Sequence, residues 1–475
     1  MRLRRRAVLA LATLVVGAAG CGGGGGGDTG PDAAVFVSPY TKIEASTQRP
    51  GDAAAGYSAL VNKGYVNCGI PYSLYKQAFG AAPERERLEG REGNNPDLPY
   101  YQTAFTTRSG VEVVSANCLI CHMGEINGEL VLGLGNNDRD YTIDAAATVN
   151  AAASLVTDPA ERAEILKFAE RMTAIAPYTR TRTIGANPAD NLAAVLFAHR
   201  DPATLAWSKT PLLPLPPEIV VPVDVPPWWR MKKKTSMFYV AAGRGDHARI
   251  MSTASTLCSD TVAEAEEMDL YFPDIAAYIN TLTPPPYPFA IDTALAERGK
   301  VEFGQRCAEC HGTYGEGATF PNLLIPDALI GTDNTLSLGA GQFADVYIDW
   351  FNGSWYGQKS HLEPERGYLA PPLDGIWATA PFLHNGSVPT IAALLDTSKR
   401  PKYWTRTFRS TDYDDAALGW KFTELPAGQD AEPNAANKKK IYDTTLLGYG
   451  NGGHDFGDGL SSDDRTAIIE YLKTL

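Results

Sequence analysis

The chain of 475 residues is short of methionine, histidine and basic charge. It has seven methionines, and none follows residue 268. Lys and Arg number 42 against 55 Asp and Glu, for a formal charge of −13. That deficit argues against nucleic acid or an anionic membrane surface as the main partner. After residue 20 no apolar run approaches the ~20 residues that a helix needs to span a bilayer. What is plentiful is equally informative. Glycine (45) and proline (33) are abundant, so long loops are expected. An apolar content of 44% excludes wholesale disorder and allows a sizeable core.

The first segment reads as a targeting signal. MRLRRR is a basic head, and Ala7 to Gly20 is apolar. Ala18-Ala19-Gly20-Cys21 looks like a bacterial lipoprotein signal, in which Cys21 is lipidated; an ordinary secretory signal is the alternative. Residues 1–20 are therefore expected to be a signal peptide and 21–33 a Gly-rich tether. The expected location is exported, facing the periplasm or anchored to the outer membrane, with membrane contact only through lipid.

Four of the seven cysteines form two motifs, Cys118-Leu-Ile-Cys121-His122 and Cys307-Ala-Glu-Cys310-His311. C-x-x-C-H attaches c-type haem: two thiols meet the two vinyl groups, and the next residue supplies the proximal imidazole. Composition alone would give on the order of 0.001 such motifs per chain. A zinc site would need a second Cys/His pair at ligand spacing, which is absent. Two covalently bound c-type haems are expected. With Cys21 assigned to lipid, Cys68 and Cys258 remain, and an oxidising compartment makes them one expected disulfide; two separate buried thiols are the alternative.

Ile275-Ala-Ala-Tyr-Ile-Asn-Thr-Leu282 matches Ile468-Ile-Glu-Tyr-Leu-Lys-Thr-Leu475 at its first, fourth, seventh and eighth positions. Each copy follows a haem motif at nearly the same distance and makes one apolar helix face. The expected fold is mainly α, with two tandem cytochrome-c-type haem domains, long loops and few short strands. The domains are 34–283 and 290–475, joined by the Pro-rich linker Thr283 to Phe289. Asp292 is expected to cap a helix leading into the Cys307 motif. Asp158 to Thr173 reads as a helix, and Gly110-Val-Glu-Val-Val as a short strand.

The distal ligands decide between electron transfer and reaction with O2 or peroxide. With no methionine after 268, the second haem has His361, His384 and His454 as candidates. His454 leads, because its glycine-rich surroundings allow close backbone approach. For His384 a hydrogen bond to a haem propionate or to backbone is the favoured role. For the first haem, Met172, Met231, Met237, Met251, Met268, His199 and His247 are available and none stands out. Met123 adjoins the proximal His122 and cannot reach round the porphyrin. The first haem is the expected open site. Calcium at Asp201, Asp224 or Asn136 to Asp140 is conceivable but unsupported, since no twelve-residue calcium loop can be completed. Lys232 to Lys234 reads as a solvated face, with propionate neutralisation or partner docking as alternatives. Trp228 and Trp229 are core by default, with electron relay as the alternative.

Two cytochrome c units with a long N-terminal unit resemble the bacterial dihaem cytochrome c peroxidase superfamily. The stretch Tyr368-Leu-Ala-Pro-Pro-Leu-Asp-Gly-Ile-Trp-Ala-Thr-Ala-Pro-Phe-Leu-His-Asn-Gly-Ser-Val-Pro389 looks like its signature after the second haem. Ala116-Asn-Cys-Leu-Ile-Cys-His122, Pro227-Trp-Trp-Arg-Met-Lys-Lys-Lys234 and Gly453-His-Asp-Phe-Gly457 look most like its rubber oxygenase branch. The resemblance implies an N-terminal haem, proximal His122, that binds O2 or peroxide. It implies a C-terminal haem held by His311 and His454, and an interface tryptophan, Trp229 or else Trp228. The expected function is a lipid-anchored oxidoreductase, dioxygenase-like or peroxidase-like. It would work with a small oxidant (O2 or H2O2) and a redox partner or organic substrate. A non-catalytic electron carrier with both haems six-coordinate is the alternative.

Overall fold

Two helix pairs, each crossing over a glycine, organise the computed structural model, which describes residues 39–342 and 344–475. The signal, the tether and Cys21 lie outside the described residues. In the second half, the helix Thr293–Arg306 starts where the Asp292 carboxylate accepts from the Leu295 N–H. It runs directly into Cys307. It crosses the helix Ser462–Leu472, which Ser461 caps through the Asp464 N–H. The crossing point is Gly299, where an added Cβ would stand 1.9 Å from the Ala467 carbonyl oxygen. Phe303, one turn on, packs on Tyr471 with ring centres 5.2 Å apart.

The first half repeats this arrangement. Asp52 caps the helix Ala53–Asn62, which crosses Phe272–Ile279 at Gly56. There a Cβ would be 1.9 Å from the Asp274 carbonyl oxygen. Asp274 and Ala467 each directly precede the repeated octapeptide, so the two crossings use the same register. Tyr57 and Tyr278 pack at 5.2 Å, as Phe303 and Tyr471 do. The long approach to the first motif thus contains the missing helix, separated from Cys118 by residues 63–117. That insertion carries the hairpin Gln102–Thr106 with Glu112–Ala116, and Ile70–Pro71 pairs on its far edge.

The fold is mainly helical with short strands, as the composition and periodicity lead one to expect. The Asp158-capped helix is longer than expected, Pro159–Thr179, because Ile175 and Ala176 are also buried. Cys68 and Cys258 are disulfide-bonded, Cα atoms 5.8 Å apart, and both are fully buried.

Residues 39–475 pack as one unit. Strand Gly243–Gly245 pairs with Ser360–Leu362. Phe197 of the helix Ala189–Ala198 stacks on Trp350 of the helix Asp345–Gly353 at 4.3 Å. The first described segment straps both halves. Thr41–Lys42 pairs with Leu323–Ile325, Ile43 is buried against Ala241, Leu324 and Leu369, and Arg49 bonds Asp246 and Asp269. Among the described residues no helix is long and apolar enough to cross a membrane.

The crossing gives a paired test. Gly299→Ala forces a methyl group into a backbone carbonyl and should destabilise by about 1–3 kcal/mol. Gly304→Ala, in the same helix with no atom within 4 Å of its added Cβ, should stabilise by about 0.5–1 kcal/mol. Denaturant unfolding of the two variants beside the parent checks both signs.

Candidate haem centres

Each motif is a single helical turn, Leu119–His122 and Ala308–His311. The first is not the continuation of a long helix, so Asn117 starts it, accepting from the Leu119 N–H at 2.9 Å. Asn117 is itself fixed by donating to Tyr100 O and Thr103 Oγ1. Cys121 Sγ lies 3.0 Å from the Tyr141 hydroxyl and 3.3 Å from Asn187 Nδ2. Burial pushes the Cys118 and Cys307 thiols up to about 11. A reactive dithiol needs the opposite shift.

The two proximal histidines are held differently: His122 Nδ1 is buried with no hydrogen-bond partner among the described residues. His311 Nδ1 lies 2.8 Å from Pro371 O, leaving Nε2 for iron. Burial pushes His122 down to about 4, and the Pro226 carbonyl opposes that shift. Pro371 belongs to the 368–389 stretch, so one role of that stretch is to orient His311. Tyr314 reinforces it, donating to His311 O at 3.0 Å and accepting from the Leu373 N–H at 2.6 Å.

The two centres differ on the opposite side. His454 stands across from His311 with ring centres 6.2 Å apart and planes at 51°. Two imidazoles on one metal need about 6 Å between ring centres, twice the sum of a ~2.0 Å metal–nitrogen bond and the distance from that nitrogen to its ring centre. Burial, with His311 nearby, pushes His454 down to about 4, which keeps it neutral and able to ligate. His384 is placed elsewhere. Its ring stacks on Tyr368 at 4.1 Å, and its carbonyl accepts from the Asp224 N–H. His361 is an exposed partner of Glu363.

No second imidazole pairs with His122 in this way among the described residues; the ring packed on it is Trp228, at 4.7 Å and 22°. His199 is held by Ser208 O and stacks on Trp207. Met268 accepts from the Tyr271 hydroxyl. Met172 and Met237 sit in other apolar clusters. Met231 and Met251 pack in the cluster that holds Leu119 and Trp228. His247 is buried, and its Nε2 has no partner among the described residues.

The tryptophan pair straddles the halves. Trp228 lies in the cluster of the first motif and Trp229 in that of the second. Trp229 is fully buried and donates to Asp374 O at 2.8 Å. The side chain stacked on His122 is thus Trp228, while Trp229, the residue favoured from the resemblance, seats the second core. Adjacent residues in one tight turn point apart, and sequence does not tell which faces which motif.

The three lysines are not one solvated face. Lys232 reaches Leu282 O, Lys233 pairs with Asp374, and burial pushes Lys234 down to about 8 beside Arg230. Arg230 is buried, bonds Asp374 O and Thr379 Oγ1, and has no carboxylate in ion-pair contact among the described residues. The Asp374 and Asp224 carboxylates act on Arg230 only at longer range, and burying a cation with no carboxylate in contact is unfavourable, so this interior suits a cofactor bearing carboxylates. The residues present therefore fit haem, in thiols, imidazoles and charge. The carboxylates considered for calcium are engaged locally. Asp201 caps its own turn, Asp138 pairs with Arg406, and Asp140 with Lys439. Among the described residues no group of three or more His, Cys, Asp or Glu side chains is placed to hold a metal ion.

Comparison with known proteins agrees with this chemistry. The RoxA-like, cytochrome c-like family model matches residues 367–405. That match supports a RoxA-like cytochrome c relationship, and with it haem c binding. Two proteins of Sinorhizobium fredii (strain NBRC 101917 / NGR234) are similar: uncharacterized protein y4iJ, 29% identical over 293 residues (47% of this chain, 46% of that protein), and uncharacterized protein y4iM, 29% identical over 252 residues (45% and 56%). The chain spans about half the length of these curated relatives.

One buried acid provides a test of this interior. Burial pushes Asp224 up to about 8, against the donated Tyr239 hydroxyl. Its folded pKa lies above its unfolded value, so its contribution is full below pH ~4 and is lost as pH rises towards 8. Asp224→Asn should remove that decline and make the protein relatively more stable at pH 8 than at pH 5. Thermal unfolding of both proteins across this range checks it; identical pH dependence would contradict it.

Proposed function

We propose that this chain is an exported, lipid-anchored dihaem c-type cytochrome acting as an oxidoreductase, with an open first haem and a second haem held by His311 and His454. The observation that carries this reading is the asymmetry: an imidazole stands 6.2 Å from His311, whereas the ring beside His122 is an indole. Bound haem iron supplies O2 or peroxide binding at an open position and electron exchange at a filled one. The chain's own residues do the rest. Cys118, Cys121, Cys307 and Cys310 attach the two cofactors. Pro371 O orients the His311 ring. Trp228, a member of the apolar cluster around Leu119, Ile275 and Ile279, stacks on the His122 ring and covers one face of it. Trp228 and Trp229 lie between the two motifs, where an aromatic pair shortens the path for an electron.

The lipid at Cys21 and the tether would stand this body off a membrane facing an oxidising compartment. The substrate class is a small oxidant together with a redox partner or an organic co-substrate. The test is ligand binding to the reduced full-length holoprotein. O2 or carbon monoxide should perturb the absorbance of one haem of two, and His454→Ala should add the second. A parent protein that binds neither ligand, with both haems low-spin, would favour a pure electron carrier.

A further inference from the structure

His311 and His454 are held in different ways. The His311 ring is tied through its own Nδ1 to Pro371 O. His454 Nδ1 is buried and has no partner among the described residues. The position of the His454 ring therefore depends on its main chain. That main chain is unusual. His454 has φ of +48°, next to Gly453 at +71°, and a side chain in this left-handed region is strained. A Cβ at Gly453 would stand 2.1 Å from the Gly331 carbonyl carbon, so the loop lies directly on another segment. The His454 N–H donates to Ile330 O at 2.7 Å.

Arg400 closes the other side of this loop. A guanidinium has five N–H donors in a planar fork, and here they reach five main-chain carbonyls on two segments. Nε bonds Ala393 O at 3.1 Å and Nη2 bonds Leu394 O at 3.0 Å. Nη1 bonds Asn451 O and Gly453 O, both at 2.6 Å, and Nη2 bonds His454 O at 3.1 Å. Among the described residues no carboxylate is in ion-pair contact with it; Asp455 and Asp458 act only at longer range. A side chain that gives its whole donor set to backbone is a geometric device, because Lys cannot reproduce the fork.

We propose that Arg400 is the positioning residue that holds His454 opposite His311, by fastening the 451–454 main chain to residues 393–394. This rests on the reading of His454 as second axial ligand and goes beyond it, naming what keeps that ligand in place. Without the fork, the His454 residue itself keeps its N–H bond to Ile330 O. The loop before it keeps Asn451 Nδ2 on Pro401 O and the Gly450 N–H on Asp333, but the carbonyls of 451, 453 and 454 lose their shared anchor. The second haem would then spend time with its distal position open.

The experiment uses full-length ferric holoprotein with Arg400→Ala, Arg400→Lys and His454→Ala, read by low-temperature EPR and visible absorbance with and without added imidazole. Arg400→Ala and Arg400→Lys should both convert part of the second-haem low-spin signal to high-spin. Before imidazole is added the first-haem signal should stay as in the parent, which serves as the folding control. Added imidazole should return the second haem to low-spin, and its binding to the open first haem is read from the parent treated in the same way. If Arg400→Ala does not assemble, Arg400→Lys carries the test. An Arg400→Lys spectrum identical to the parent would overturn the proposal, since charge alone would then suffice. So would an unchanged low-spin signal in Arg400→Ala. His454→Ala separates the two levels: a second haem that stays low-spin there removes the ligand reading itself, whereas high-spin His454→Ala with parent-like Arg400 variants removes only the clamp.

Discussion

The close crossing of two helices over a glycine is the constraint on which both centres depend. At Gly299 and Gly56 the partner carbonyl occupies the space of a side chain. Only glycine lets the axes approach this far, and the approach places each C-terminal helix against the element that leads towards a motif. In the second half that element is continuous with Cys307, so the crossing sets the position of His311 directly. In the first half the connection is indirect, and Asn117 with its hydrogen bonds to Tyr100 and Thr103 takes over the job of starting the motif turn.

From this shared frame the halves diverge in chemistry. The second centre is closed by a glycine-rich loop that presents His454, fastened by Arg400 to residues within the stretch that matches the family model. The first centre has Trp228 on its proximal ring. Buried Arg230 and half-buried Lys234 supply cations that match a cofactor's carboxylates. Segments that cross from one half to the other tie them together. The Gly243–Gly245 strand pairs across the boundary, and residues 41–52 run along it from Leu323–Ile325 to Asp274.

Much of the candidate site was legible in the sequence, because its chemistry is written in contiguous residues. Two C-x-x-C-H motifs, a methionine-free C-terminal half and a histidine among glycines lead to His122, His311 and His454 without any long-range knowledge. The Cys68–Cys258 pair follows from elimination. What was not legible is what distant residues decide. The Ala53–Asn62 helix is the counterpart of Thr293–Arg306, but 55 inserted residues hide it. The shared pattern was present as Gly56-Tyr-Ser-Ala-Leu60 and Gly299-Lys-Val-Glu-Phe303, visible only once the crossing is known. Two-residue strands such as Thr41–Lys42 have no periodicity to read. The opposed directions of Trp228 and Trp229 follow from a tight turn between two cores, and the role of Arg400 follows from five carbonyls that no local motif announces.

The central claim is that one chain carries two haems with unequal axial sets. Low-temperature EPR of the ferric full-length protein, with haem quantified per chain, tests it most directly. The account predicts two haems per chain, one giving the low-spin signal of two imidazoles and the other a high-spin signal. Two low-spin signals of equal weight in the ferric and half-reduced protein, or a single haem per chain, would contradict it.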